Sequence, residues 1–272
     1  MRTFDWNMAR PSSPPLGDHD VPPLSTRLAG RRVALLVCGG IAAMKTPFLA
    51  RALRRHGADV TAFCTDEALR YVGRDALEWS TLHPVITTLT WRAEHLSDAT
   101  PFHLYLVAPA TYNTIGKVAS GVADTVVTAA LASALGRLAE GRTRVLFAPT
   151  MHGSMHTPIL EDNVRRLAAA GVGFVTPRDD YGKHNLPDDD VLVVACARAL
   201  STSPLRGRAL HVADGPGAPE LADALVYLGA EVTVAADGAR WATHAGAQAG
   251  AFVVAPTGDL DADLARLGGI DA

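Results

Sequence analysis

The sequence has little net charge, few cysteines and no long apolar run. Its 25 Lys and Arg nearly balance 28 Asp and Glu, for a net charge of −3, so no strong field would attract nucleic acid or an anionic membrane. The 3 cysteines form no CxxC pair, which gives no sign of a metal site or of redox exchange and favours a reduced, cytoplasmic protein. No run reaches the roughly 18 apolar residues of a membrane span. A small-molecule or peptide substrate is therefore expected.

Composition divides the chain into three parts. Pro and Asp interrupt residues 1–30 where a signal peptide needs an apolar core, so a disordered Pro-rich tail is predicted there. Residues 31–200 alternate apolar runs with amphipathic stretches, which is typical of an α/β fold with a doubly wound, Rossmann-like or flavodoxin-like parallel sheet and helices on both faces. Residues 205–272 predict a small βαβ-like extension, too short for a stable core of its own.

The same alternation predicts the individual elements. Strands are expected over 33–40, 58–65, 104–110, 144–150 and 171–177, and helices over 43–56, 115–135, 163–170 and 188–200. Ligands of open parallel sheets bind beyond the carboxyl ends of the strands. The loops that follow the strands are therefore the places to search for function.

A pair of glycines joins the first strand to the first helix in the segment VCGGIAAMK (37–45). Such a turn lets backbone N–H groups approach an anion, although any tight strand-to-helix turn can use Gly-Gly. The spacing is neither GxGxxG nor GxxxxGK[ST], so it offers little support for a dinucleotide or a nucleoside triphosphate. The turn predicts a phosphate cradle.

Two segments carry a resemblance to a known family. VCGGIAAMK is similar to the GGIAAYK segment of the flavin-dependent cysteine decarboxylases, and PATYNT with the following IGKVASGVADTVVT resembles their PASANT loop and its continuation. Over residues 31–200 the chain resembles this family, its phosphopantothenoylcysteine decarboxylase branch in particular. The resemblance implies FMN as the cofactor. The residues expected to contact FMN are Gly39, Gly40, Ile41, Ala42, Thr65, Ala110, Thr111 and Asn113.

The resemblance also suggests a catalytic group. His95 precedes Pro109 by the interval that separates the catalytic histidine of the family from the proline of its PASANT loop, so His95 is expected to act as the base. His83 and His103 lack that register and are expected to be structural. Asn113 is implied to contact the substrate carboxylate; capping of the next helix is the alternative reading of this residue, and both can hold.

Two further loops resemble substrate-binding segments of the family. PTMHGSMH (149–156) is similar to PxMNxxMW, which implies that Met151 and His152 contact the substrate, while His156 replaces an aromatic residue. No zinc site is predicted from the two histidines, because no third ligand is evident. RDDYGK (178–183) resembles the ACGDYGNG flap, with Arg178 in place of the cysteine and expected to contact the substrate.

The expected reaction is FMN-dependent decarboxylation of 4′-phosphopantothenoylcysteine to 4′-phosphopantetheine, in coenzyme A biosynthesis. Residues 205–272 favour it, since they resemble the start of the ligase domain fused to many bacterial decarboxylases. A peptidyl-cysteine decarboxylase of a modified-peptide pathway is one alternative, and a non-catalytic FMN-binding partner protein is another. The resemblance further implies a homotrimer or an assembly of trimers.

Overall fold

The computed structural model describes residues 9, 16–96 and 101–268. Its strands are β1 (Arg32–Val37), β2 (Asp59–Cys64), β3 (Leu104–Ala110), β4 (Arg144–Pro149), β5 (Met151–His152), β6 (Gly173–Phe174), β7 (Arg178–Asp180), β8 (Lys183–Asn185), β9 (Ala209–Val212), β10 (Glu231–Val234), β11 (Thr243–His244) and β12 (Phe252–Val254). Its α-helices are α1 (Thr46–Arg55), α2 (Arg74–Thr81), α3 (Tyr112–Ala119), α4 (Val126–Ala139), α5 (Pro158–Ala169), α6 (Asp189–Leu200), α7 (Ala218–Tyr227) and α8 (Leu260–Arg266).

Five strands form the main sheet in the order β2-β1-β3-β4-β6, and all neighbouring pairs are parallel. Every residue of β3 is buried, because helices cover both faces of the sheet and leave no strand face to solvent. The predicted doubly wound α/β fold is confirmed. The strand order reverses direction between β1 and β3, the position at which such sheets bind ligands.

The first helix differs from the single helix predicted over 43–56. A short 3-10 helix (Ile41–Lys45) comes first, and α1 starts at Thr46. Pro47 explains the break, because proline has no N–H to continue a hydrogen-bond ladder but is well tolerated in the first turn of a new helix.

The long helix predicted over 115–135 is two helices, α3 and α4. Gly121 interrupts it with a φ of 74°, a left-handed conformation that favours glycine. Thr125 then begins α4 with a capping box, in which its side chain accepts from the backbone of Thr128 and the side chain of Thr128 accepts in return. The hydrophobic pattern continues across the break, which is why it predicts one helix.

Residues 16–30 also differ from the predicted disordered tail. Leu28 is fully buried, and the backbone N–H of Leu24 donates to the carbonyl of Arg55 at 2.7 Å. Arg54 donates to the carbonyl of His19 at 3.0 Å. This segment therefore lies against the end of α1. Residues 1–8 and 10–15 of the predicted tail lie outside the described residues.

The predicted C-terminal extension forms a second parallel sheet, β11-β10-β9-β12, covered by α7 and α8. It has a small core of its own around Leu210, Val212 and Leu225, and Val194 of α6 belongs to the same cluster. Residues 205–268 are called the C-terminal unit below. None of the described helices is long and apolar enough to cross a membrane.

Candidate functional site

The glycine turn leaves backbone donors open at the carboxyl end of β1. Gly40 precedes the 3-10 helix, and the first N–H bonded within that helix is that of Ala43, which donates to the carbonyl of Gly40 at 2.9 Å. Within the described residues, the N–H groups of Gly40, Ile41 and Ala42 have no partner, as is usual at the start of a helix. These donors can receive an anion.

The neighbouring loop after β2 packs directly onto this turn. A Cβ at Gly39 would lie 2.5 Å from the Cβ of Glu67 and 3.2 Å from its carbonyl carbon, so only glycine fits. The N–H of Thr65 donates to the carbonyl of Val37 at 3.1 Å, and the Thr65 hydroxyl accepts from Ala68 at 3.3 Å. The predicted contacts Gly39, Gly40 and Thr65 are therefore brought together.

A cavity of about 550 Å³ opens beside Thr65. Three segments line it, 65–67, 87–89 and 123–126, together with Ala129. Of the predicted site residues, only Thr65 belongs to this lining. The sequence does not single out the second and third segments, although 123–126 lies inside the ASGVADTVVT stretch that carries the family resemblance; it follows the helix break at Gly121.

Cys38 ties the glycine turn to the loop after β3. The hydroxyl of Thr114 and the backbone of Thr111 contact its thiol. Burial raises the pKa of the Cys38 thiol to about 11, although these hydrogen bonds act in the opposite direction. Cys38 is therefore a neutral packing residue near pH 7, and its role is to hold two candidate loops in register.

The PATYNT loop begins α3 with Thr111 as its N-cap, whose hydroxyl accepts from the N–H of Thr114 at 3.3 Å. Asn113, the alternative candidate for this cap, is exposed, and its amide makes no hydrogen bond to the described residues. Ala110 is fully buried at the end of β3. Tyr112 extends towards α5, where its hydroxyl lies 3.2 Å from that of Thr157.

His95 lies in a turn that immediately precedes the undescribed residues 97–100. Its Nδ1 is enclosed and has no hydrogen-bond partner in the described part of the chain. The structure does not bring His95 into the lining of the 550 Å³ cavity. His83 and His103 do have structural partners: the first contacts Asp59 at 2.6 Å, and the second accepts from a backbone N–H at 2.8 Å.

The two predicted substrate loops form one small sheet in the order β5-β8-β7. Met151 pairs with His184, and Arg178 pairs with Asn185 across the hairpin. The N–H of Gly153 also donates to the carbonyl of Gly182 at 3.1 Å. The 178–185 hairpin, called the flap below, is thereby joined to the loop that carries Met151 and His152.

His184 is a site residue that the sequence reasoning missed. Its ring lies 4.3 Å from that of His156, centroid to centroid, and its Nδ1 contacts the carboxylate of Asp179. The pairing of β5 with β8 creates this contact, and no local sequence motif predicts it. His156 thus packs on the flap, where the family pattern has a tryptophan.

Arg178 lies at the base of the flap rather than at its tip. Its guanidinium is 3.3 Å from the carboxylate of Asp188, just before α6. The tip is formed by Tyr181 and Gly182, both at positive φ, as in a tight hairpin turn. The predicted substrate contact of Arg178 therefore competes with an existing ion pair.

Comparison with known proteins assigns this arrangement to a family. The Flavoprotein family model matches residues 23–201. The chain belongs to the Flavoprotein family. Among its relatives is the coenzyme A biosynthesis bifunctional protein CoaBC of Thermococcus kodakarensis, 36% identical over 196 residues, which cover 70% of this chain and 47% of the relative. The chain spans about half the length of the curated relatives it matches.

Solved structures agree with this Flavoprotein assignment. The FMN-dependent cysteine decarboxylase SpaF is 27% identical, with a TM-score of 0.55, and the match covers 64% of this chain and 97% of SpaF. A PPC decarboxylase mutant complexed with pantothenoylaminoethenethiol has the same fold, with a TM-score of 0.53 at 21% identity; the match covers 61% of this chain and 96% of that structure.

Proposed function

We propose that this Flavoprotein is an FMN-dependent decarboxylase of a cysteine-derived carboxylate, with 4′-phosphopantothenoylcysteine as its substrate. The observation that carries the proposal is the match to SpaF over 97% of that enzyme, together with the convergence of the glycine turn, Thr65 and the PATYNT loop at one sheet edge. The similarity to CoaBC of coenzyme A biosynthesis supports the choice of substrate.

The residues at this edge fit a phosphorylated flavin. Open N–H groups at Gly40, Ile41 and Ala42 suit the phosphate, and the Gly39 position is too close to Glu67 for any side chain. The adjoining cavity of about 550 Å³ has the size of a cofactor site. When bound, FMN supplies an electron sink, without which loss of carbon dioxide from a cysteine would leave an unstabilised carbanion.

The remaining tasks fall to side chains of this chain. His95 has an enclosed nitrogen with no partner among the described residues, and in the proposal its imidazole takes the proton of the substrate thiol. The amide of Asn113 makes no hydrogen bond within the described part of the chain and can donate to the substrate carboxylate. The Nδ1 of His152 accepts from the N–H of Ser154 at 3.2 Å, so the proton of a neutral ring is on Nε2, where it too can reach a carboxylate.

Flavin binding and turnover test the proposal separately. The purified protein should bind added FMN, seen as quenching of flavin fluorescence, and should convert 4′-phosphopantothenoylcysteine. Binding without turnover of any cysteine compound would replace the proposal with the non-catalytic FMN-binding role. Absence of flavin binding would reject both.

A peptidyl-cysteine decarboxylase is the second candidate. Arg178 in place of the flap cysteine and the His156–His184 contact in place of a tryptophan favour it, since both alter the surface next to the substrate. Peptides that end in cysteine, compared with 4′-phosphopantothenoylcysteine by kcat/KM in one assay, select between the two.

Assembly and location are further parts of the proposal. Ile41, Met44 and Phe48 are apolar but 71%, 56% and 68% exposed, next to the glycine turn, which supports a homotrimer that covers them. Light scattering after gel filtration tests this, with a monomer as the contrary result. The three cysteines are free and buried, which supports a cytoplasmic location.

A further inference from the structure

Three consecutive aspartates at the start of α6 each face a different part of the molecule. Asp188 contacts Arg178 of the flap at 3.3 Å. Burial raises the pKa of Asp189 above its usual range, and Lys45, from the 3-10 helix after the glycine turn, partly offsets this shift by favouring the charged form. Asp190 contacts the guanidinium of Arg240 in the C-terminal unit. The first turn of α6 is therefore a junction of the flap, the glycine turn and the C-terminal unit.

The first turn of α6 has one local side-chain hydrogen bond, from the N–H of Val191 to the carboxylate of Asp190 at 2.7 Å. Asp188 is the N-cap of α6, but its side chain makes no capping hydrogen bond. An unused N-cap leaves the first N–H groups of a helix less well satisfied, so that the turn frays more easily. Three neighbouring carboxylates also repel one another, which the positive end of the helix dipole offsets only in part. The cations from other elements therefore hold this turn.

Arg240 is itself firmly placed. Its backbone N–H donates to Asp223 of α7 at 2.9 Å, and the N–H of Trp241 donates to the same carboxylate at 2.7 Å. The guanidinium lies 4.8 Å from the centroid of the Trp241 ring. The C-terminal unit thus presents to Asp190 a cation whose backbone is held by Asp223.

The flap depends on the same turn through both of its strands. Arg178 anchors β7 to Asp188, and β8 leads into α6 through Leu186 and Pro187, both buried. Fraying at the start of α6 would therefore loosen the base of both strands, although β8 stays paired with β5.

We infer that Arg240 is a positioning residue, through which the C-terminal unit holds the first turn of α6 and thereby the flap that is joined to the candidate substrate loop at Met151. The expected effect of Arg240 on catalysis rests on the proposed function, whereas its expected effect on flap motion does not. The C-terminal unit then has a role in the site without contributing a residue to it.

Hydrogen exchange of the full chain, without substrate, tests the inference. In Arg240→Gln, the amide exchange rate in residues 178–191 should rise by about two- to five-fold, which is the change expected when one stabilising surface ion pair is lost. Arg240→Lys should restore protection, because the charge remains. Unchanged exchange in 178–191 in Arg240→Gln would overturn the inference, whether or not the protein binds FMN.

A matched control separates this effect from a general loosening of the C-terminal unit. Glu231 of β10 contacts Arg198 near the other end of α6 at 2.6 Å. Glu231→Gln removes a similar ion pair between the same two parts, about 12 Å along the helix from Asp190. It should leave the flap as in the wild type; an equal rise in flap exchange would contradict a specific role for Arg240.

If the proposed function holds, kinetics give a second readout. Arg240→Gln should raise KM for 4′-phosphopantothenoylcysteine by a similar two- to five-fold while kcat changes little, because a loosened flap weakens binding of the substrate before the chemistry. A fall in kcat with an unchanged KM would contradict a role through the flap. Inactivity of the wild type would reject the proposed function and leave the exchange result standing.

Discussion

Substitution of Gly39 by alanine tests the steric basis of the glycine turn. The new Cβ would lie 2.5 Å from the Cβ of Glu67 and 3.2 Å from its carbonyl carbon, and neither atom is at the end of a flexible side chain. The turn and the loop after β2 must therefore separate. Such overpacking costs about 1–3 kcal/mol of the free energy of unfolding.

Gly40 is the matched control, because it is the next residue of the same turn. Its Cβ would lie 3.5 Å from the Cγ2 of Thr111, an ordinary contact, and its φ of −178° is open to any residue. Gly40→Ala should therefore be neutral or stabilise the protein by up to about 1 kcal/mol, since alanine lowers the entropy of the unfolded chain.

Urea unfolding of the FMN-free proteins, followed by circular dichroism, measures the difference without a contribution from ligand binding. Gly39→Ala should unfold at clearly lower urea than the wild type, and Gly40→Ala should not. Equal midpoints for the two variants would refute the claim that the close approach of Glu67 makes Gly39 necessary.

Three further predictions concern catalysis, pH and a helix cap. His95→Asn should lower the rate of decarboxylation by about 10²–10⁴-fold, the usual contribution of a general base, with FMN affinity unchanged; a smaller loss in a rapid-quench assay would remove His95 from the mechanism. Burial raises the pKa of the Cys38 thiol to about 11 and that of Cys196 to about 12. An unfolded thiol ionises near its ordinary pKa of 9.0 while the buried thiols stay neutral, so the free energy of unfolding should fall as pH rises from 9 to 11, with a slope that approaches about 1.4 kcal/mol per pH unit for each thiol midway; Cys196→Ala should make the measured slope shallower, and an unchanged slope would contradict this source. Thr125→Ala removes the capping box of α4 and should cost about 0.5–2 kcal/mol in urea unfolding, whereas Thr88→Ala, at the same cavity but outside any helix or strand, should cost less.

The sequence predicts four of the five strands of the main sheet to within a few residues, because buried parallel strands appear as short apolar runs that end at the functional loops; the strand expected over 171–177 is only Gly173–Phe174 (β6). The expected strand over 104–110 coincides with β3 (Leu104–Ala110). Helix limits are predicted less well. The break after α3 depends on the left-handed Gly121 and the cap at Thr125, which interrupt a hydrophobic pattern that itself continues.

The candidate site is predictable where one segment carries it and not where distant segments meet. The glycine turn and the PATYNT loop can be identified from their own residues. The contact of His156 with His184 requires the pairing of β5 with β8. The partners of the three aspartates before and within α6 come from distant segments, so the sequence alone does not reveal them; they are Arg178, Lys45 and Arg240. The roles assigned to His95, Asn113 and His152 stay predictions.

The most direct test of the account is the mass of the product formed from 4′-phosphopantothenoylcysteine by the FMN-loaded protein. We expect a product lighter by one carbon dioxide that does not form with His95→Asn; a further loss of two hydrogens would identify release of the enethiol. A flavin-loaded protein that leaves the mass of this substrate unchanged would contradict the assignment to coenzyme A biosynthesis.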